Sequence, residues 1–539
     1  MIGNYPVNDD WIFYRQIEAF NQGIWALSSK IDPSFIAQGL IGYLWSKIFG
    51  LNFINLQILT LLITILGSVA FIKILKTLNI PKNIRILCLL LFLFNPLIFT
   101  SSFSFMTDNY FLAFSSISIY FFLSHILNNR GHINIYLGSF FMFLAVLTRQ
   151  IGIFIGLSFI ISKLLDKKKD LLSKIKEALV PAFSIIFSLI INYIWPKYDG
   201  GRVWVLAEQI SLRVENIFLS IHYLPFFIFP LFLGLIDEKK SLKELVFLLI
   251  SMLSISSFLI NVDLFPAGNV FYIEELYAKS DFRQNFSLFD SVMFKTFLSL
   301  LISYSFSILI IFLGKKIKKI TAENKKLTIT QKQEDIFLLF HFFFNYSVLL
   351  ISSDYYDRYL LPSFLSFFLL FLKKLYKDIR LNIYLCLCTL LFIFISISLQ
   401  WDFSSKNRLL WKQAHTLSKD TGLTTQIDVN DIYTKYMNSV KENDFSGKSS
   451  SGEFIKKCFV QKYSTDSDSF FWTKVEEFEN IVNERVGIKR KPYGSLKREG
   501  ISRANKNRDK FLYNEEYTSI LFNIVGKKTY VASWCIQET

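Results

Sequence analysis

Asn8, Asp9, Asp10 and Trp11 place two adjacent carboxylates just ahead of a stretch in which Phe13, Ile17, Phe20 and Ile24 recur at helical spacing. Neighbouring acids suit abstraction of a proton from a hydroxyl, because their repulsion raises one pKa while the other group stays charged. The same residues fit an ordinary helix N-cap. Asp108 follows Met106 and Thr107 at the turn between two apolar segments, where an ionisable group is costly and points to function; capping of the next helix by Thr107 or Asp108 is the alternative. Leu147, Thr148, Arg149 and Gln150 interrupt an apolar stretch from Ile133 to Leu165 that is too long for one membrane crossing, so two short helices are expected to meet at Arg149. A guanidinium there suits bidentate binding of phosphate oxygens, and a snorkelling arginine at a helix end would look the same. Arg358 stands among Asp354, Tyr355, Tyr356, Asp357 and Tyr359, where the aromatic residues fit an interfacial belt and Asp357 is a ready partner for Arg358.

The elements that must position these groups are apolar. Of 539 residues 52% are hydrophobic, 58 are Phe and only 19% are charged, below the one-quarter charged of a typical soluble domain. Blocks of about 20 apolar residues match the hydrocarbon thickness of a bilayer. Twelve segments are expected, at 51–72, 84–105, 108–127, 133–149, 151–166, 179–195, 217–236, 244–261, 291–314, 335–352, 359–375 and 381–400. With strict alternation the Lys- and Arg-rich loops 73–85, 163–176, 237–243, 315–332 and 373–380 all fall on one side, which the positive-inside bias makes cytoplasmic. Residues 1–50, 196–216, 262–290, 353–358 and the tail then lie outside, together with Asp9, Asp10, Asp108, Arg149 and Arg358. An outside start at Met1 leads to the expectation of one further span before it. The residues around Phe13 to Ile24 read as an amphipathic helix lying on the membrane surface, or as one packed on a soluble unit.

From about residue 401 long apolar runs stop and charges mix, so 401–539 is expected to be a separate extracytoplasmic domain of mixed α/β structure, after a first outer loop at 1–50 and a transmembrane domain at 51–400. Cys458 and Cys535 lie in this tail and suit a disulfide if it is extracytoplasmic; two free thiols fit the sequence as well. Cys88, Cys386 and Cys388 sit in apolar blocks as small hydrophobes. The net charge of +16 is carried largely by interhelical loops, which argues for membrane orientation over a nucleic-acid partner. No Walker loop, dinucleotide fingerprint or zinc-type spacing is present.

The acidic pair Asp9 and Asp10, Phe105 to Asp108, Leu147 to Gln150, and the string Arg358, Tyr359, Leu360, Leu361, Pro362 together resemble the GT-C glycosyltransferases that use polyprenyl-phosphate sugars, particularly bacterial proteins similar to aminoarabinose and protein O-mannosyl transferases. The resemblance covers about residues 5–400. It implies a multi-pass cell-membrane enzyme with its site on the extracytoplasmic face. Asp9 or Asp10 would be the base, and Asp108, Arg149, Gln150 and Arg358 would bind substrate. The donor would be a polyprenyl-phosphate sugar and the acceptor a glycan, lipid or protein. Some relatives use a divalent metal, toward which Asp108 would contribute, although nothing in the sequence demands one. A lipid-linked glycan flippase, a glycan polymerase and a non-catalytic scaffold are the rival readings. A flippase would call for broken helices in both halves.

Overall fold

The computed structural model describes residues 1–6, 10–28, 31, 34–128, 132–167, 169–197, 224, 227–235, 242–261, 299–308, 310–311, 314, 332–351, 357–421, 427–428, 456–464, 513–517 and 529–537. The chain is mainly helical. Its principal helices are α1 (Asp10–Asn21), α2 (Ile36–Phe49), α3 (Phe53–Thr77), α4 (Lys82–Leu93), α5 (Pro96–Ser101), α6 (Thr107–Asn128), α7 (Ile133–Val146), α8 (Ile153–Leu164), α9 (Leu171–Ile194), α10 (Leu242–Asn261), α11 (Gln333–Ile351), α12 (Leu361–Leu375) and α13 (Ile383–Thr421). Among the described residues α3, α6, α9 and the first 35 residues of α13 are long and apolar enough to cross a membrane. Ile133–Val146, Gln150–Leu164, Val246–Ser257 and Ser299–Ile308 are shorter apolar helices. Leu62, Ile65, Leu66, Phe183, Ile186 and Phe187 stand open on the flanks of α3 and α9, which suits a lipid solvent and would be an aggregation hazard in water.

Side-chain pairing fixes the direction of each helix. Asn109 donates to the Thr64 hydroxyl at 2.9 Å, and Lys73 lies over the Tyr120 ring, so α3 and α6 run parallel. Between them a Cβ on Gly67 would come within 2.8 Å of the Ala113 Cα; only glycine lets the two backbones approach so closely. The return from α3 to α6 is made by α4 and α5. The expected segment 84–105 is therefore broken, because Pro96 removes a backbone donor and the Asn95 side chain caps the new helix at Leu97 N. Ser118 donates to the Gly138 carbonyl at 2.7 Å, which sets α7 antiparallel to α6.

One end of the bundle is tied by charge. Glu177 on α9 meets Lys163 of α8 at 3.2 Å, His125 of α6 at 3.4 Å, and Lys169. Lys373 bonds both Glu334 and Asp335 at 2.8 and 2.5 Å, pinning α12 to α11. Asp170 caps α9 by accepting from Ser173 N, and hydrogen bonding from the Ser173 hydroxyl and N–H holds its carboxyl below the ordinary range. Because Glu177 and Lys163 are both buried, removing one partner strands the other. Glu177→Gln is expected to lower stability by about 3–5 kcal/mol, read as a fall in melting temperature in detergent, with the remote end of the bundle unaltered in chemistry.

At the opposite end lie the starts of α3 and α6, the junction of α7 with α8, the end of α9 and the described part of the first 50 residues. Trp195 donates to the Trp25 carbonyl at 3.0 Å, and Leu27 N to the Pro196 carbonyl at 2.9 Å. The amphipathic expectation for α1 needs correction. Phe13, Ile17 and Phe20 are buried as the spacing predicts, but so are Arg15 and Gln16 on the polar side. Gln16 is accommodated by donating to the Ala26 carbonyl and accepting from Ser28 N, and Arg15 pairs with Glu18. A helix with its polar side covered in this way is packed within the end of the bundle.

The compositional change near residue 401 falls inside α13, which runs without a break to Thr421. In the tail four strands, β1 (Ile427–Asp428), β2 (Lys456–Ser464), β3 (Tyr513–Tyr517) and β4 (Thr529–Gln537), form one sheet in the order β1-β2-β4-β3. Only the β1–β2 pair is parallel. Apart from these strands and α13, the expected 401–539 unit lies outside the described residues, as do half of 217–236 and all of 198–216 and 262–290.

Candidate functional site

Arg149 occupies the reversal between α7 and α8. Its backbone is extended, and a single 3-10 turn, Gln150–Gly152, then starts the next helix. The reversal depends on Gly152, since a Cβ there would lie 2.7 Å from Val146 N. This tight hairpin breaks the long apolar stretch where Arg149 interrupts it and delivers the guanidinium to the first turn of α6. Nη2 donates to Asp108 Oδ1 at 2.9 Å, and Nε donates to the Thr107 hydroxyl at 3.0 Å. Asp108 is almost wholly buried, with 2% of its side chain exposed, while Arg149 keeps 15%. A carboxylate buried at that depth is tolerable because it is paired and hydrogen-bonded. The Thr107 hydroxyl and Asp108 Oδ1 thus hold one guanidinium in place.

Arg149 also lies over the ring of Tyr359, with Cζ 5.6 Å from the centroid. Arg358 lies over the same ring at 6.0 Å. Tyr359 belongs to the 3-10 turn Asp357–Leu360 that leads into α12, so two arginines far apart in sequence are gathered by one aromatic ring. Cation–π attraction offsets part of the repulsion between them, and an anion placed against both would gain from each. Gln150 follows directly and is half-buried.

Asp10 reaches this end by a separate route. It is the first residue of α1 and is fully buried, where the positive end of the helix dipole favours its carboxylate. Phe13, one turn on, stacks on Phe35 at 4.7 Å, and Phe35 meets Phe105 edge-on at 6.2 Å. Phe35 N donates to the Thr148 carbonyl at 3.3 Å and Ala37 N to that of Leu147 at 3.1 Å. Gln38 donates to the Phe105 carbonyl at 3.1 Å. The entry to α2 therefore clamps α1 to both turns that carry the Asp108–Arg149 pair. Phe35 adopts φ 55 to do so, a left-handed conformation rare for a bulky residue and sustained only where its surroundings impose it.

On its other side Asp10 neighbours a strap formed by the first residues. Tyr5 donates to the Ser404 carbonyl of α13 at 2.9 Å, and Arg408 to that of Ile2 at 3.2 Å. Gly3 N and the Tyr5 carbonyl are held by the amide of Gln57 on α3. Burial pushes the Tyr5 hydroxyl above its ordinary range and the Asp10 carboxylate adds slightly, while the bond to Ser404 and the Arg408 guanidinium pull it down.

Asp10, Asp108, Arg149, Gln150 and Arg358 thus occupy one end of the bundle, and Asp9 lies outside the described residues. Three contributors escaped the sequence reading. Tyr359 has the sequence signature of a belt residue, yet it stands beside Arg358 and gathers both guanidiniums. Gln38 and Tyr5 carry no motif. No group of three or more His, Cys, Asp or Glu that could hold a metal ion occurs among the described residues. Asp108, the expected contributor to a divalent metal, gives Oδ1 to Arg149, while its Oδ2 is buried without a hydrogen-bond partner among the described residues. Neither a protein-family model nor a curated protein matches the chain.

Proposed function

We propose that the protein is an integral-membrane glycosyltransferase of GT-C type that takes a sugar from a polyprenyl-phosphate donor on the extracytoplasmic face of the cell membrane. The observation that carries this reading is the convergence of Arg149 and Arg358 on Tyr359 at the end of the bundle that also buries Asp10. The donor's lipid tail lies between helices, and its phosphate faces the two guanidiniums. Asp10 or Asp9 takes the proton of the acceptor hydroxyl. The hydroxyl oxygen forms a bond to the anomeric carbon as the bond to phosphate oxygen breaks, so one displacement inverts the configuration. Negative charge grows on the departing phosphate, where fixed guanidiniums lower the barrier most effectively. Asp108 and Thr107 hold Arg149 for that task, and Gln150 lines the same turn. A phosphate leaving group needs no separate general acid.

In this reading twelve spans carry the site, and residues 401–539 form an extracytoplasmic domain beside it that serves recognition of a glycan, lipid or protein acceptor. The experiment is incubation of the purified protein with a panel of polyprenyl-phosphate hexoses and pentoses. Release of free lipid phosphate with transfer of the sugar is the expected result. Translocation of intact donor across a vesicle without release would favour a flippase and contradict the proposal.

A further inference from the structure

Two of the five cysteines stand outside the apolar helices, and the tail sheet brings them together. In the antiparallel ladder of β2 with β4, Cys458 and Cys535 are direct register partners, with Lys457 opposite Ile536 and Phe459 opposite Trp534 on either side. Directly opposed residues of an antiparallel pair share a face, and their Cα atoms stand about 4.5 or 5.5 Å apart according to their place in the hydrogen-bond pattern. Both spacings fall within the roughly 4.4–6.8 Å span that a disulfide bridges. A slip of one residue would separate the two, so the coincidence is specific to this register. By contrast Cys88 lies buried in α4, and Cys386 and Cys388 lie within the apolar part of α13.

We infer that Cys458 and Cys535 are joined by a disulfide that fastens β2 to β4, and that the tail accordingly folds in an oxidising, non-cytoplasmic compartment. Disulfides persist in such compartments and are rare where cytosolic reductants act. The distribution of Lys and Arg among the interhelical loops assigns the tail to the same side by an unrelated physical effect. The oxidant is a dithiol–disulfide oxidoreductase. One cysteine thiolate attacks the oxidant's disulfide to form a mixed disulfide. The second thiolate then attacks that sulfur, the S–S bond forms within the tail, and the oxidant leaves as a dithiol carrying both electrons. The two cysteine protons pass to solvent or to the departing sulfurs. The bridge closes a long loop that holds most of the tail, including β3.

The test uses the full-length protein in its own membrane and does not depend on sugar transfer. Cells are denatured directly in excess N-ethylmaleimide, and the protein is digested without reductant and mapped by mass spectrometry. A linked peptide containing Cys458 and Cys535 is expected, with maleimide on Cys88, Cys386 and Cys388 only; both tail cysteines should take a second alkylating reagent after reduction. In the Cys458→Ser protein, Cys535 should become open to maleimide before reduction. Maleimide on both Cys458 and Cys535 in the wild type, or continued protection of Cys535 in Cys458→Ser, would overturn the inference. A protein inactive toward every donor would still yield the linked peptide, so the two proposals fail separately.

Discussion

Replacement of Asp9 and Asp10 together by Asn is expected to reduce sugar transfer by about 10²–10⁴-fold, the usual contribution of a positioned general base, while the melting temperature and donor binding stay near wild type. Asn preserves the size of the side chain and its capacity to cap a helix. The substitution therefore separates the two roles that the sequence leaves open. A cap needs only an oxygen acceptor, whereas proton abstraction needs the carboxylate. Full burial of Asp10 at the start of α1 makes the single Asp10→Asn protein the more informative of the two single variants. Loss of transfer in the double variant with no loss in either single variant would mean that one acid substitutes for the other. Initial rates at saturating donor, with a thermal melt of the same preparation, provide the measurement. Wild-type turnover in the double variant would remove both acids from the mechanism.

Arg149→Met is expected to have a comparably large effect with a different signature. It takes away one of the two guanidiniums proposed to bind phosphate, and it also leaves the buried Asp108 carboxylate without its partner. The second consequence costs about 3–5 kcal/mol of stability, so the single variant alone would confuse unfolding with loss of function. The double variant Asp108→Asn, Arg149→Met removes the stranded charge. It is expected to recover most of the melting temperature while remaining deficient in donor binding. Arg149→Lys keeps a charge but loses the fork that engages Asp108 and Thr107 together, and should fall between. Recovery of transfer along with stability in the double variant would show the pair to be purely structural. A double-mutant cycle gives the coupling directly, since the two side chains touch.

The mainly helical character of the chain, with four helices long and apolar enough to cross a membrane among the described residues, is legible in the sequence because apolar length acts locally. The break at Arg149 is visible for the same reason: a charged residue in a long apolar stretch can only lie at an end. What it pairs with is not visible. Asp108 and Arg149 become neighbours because α7 returns antiparallel to α6, and nothing near either residue encodes the other. Tyr359 illustrates a second limit, since an aromatic residue at an interface has the same sequence signature whether it meets lipid or two guanidiniums. In α1 the spacing of Phe13, Ile17 and Phe20 marks the apolar side correctly, yet it carries no information on what covers Arg15 and Gln16, which are satisfied by Glu18, Ala26 and Ser28. The break at Asn95 and Pro96 carries an ordinary cap signature, but the apolar run continues on both sides of it. The change of composition near 401 does not end α13, because a helix held by its own backbone bonds continues through it and still buries Leu410, Trp411 and Leu417.

The site at the Arg149 end is tested most directly by photolabelling. A polyprenyl phosphate with a diazirine on the isoprene unit nearest the phosphate would be irradiated with the protein in nanodiscs, and the labelled peptides mapped. Label is expected on peptides containing Thr107 to Leu112, Leu147 to Gly152 and Arg358 to Pro362, and should disappear when unlabelled polyprenyl phosphate is added in excess. Label confined to the Lys163 to Glu177 end, or insensitive to that competitor, would contradict a lipid-phosphate site at Arg149 and Arg358.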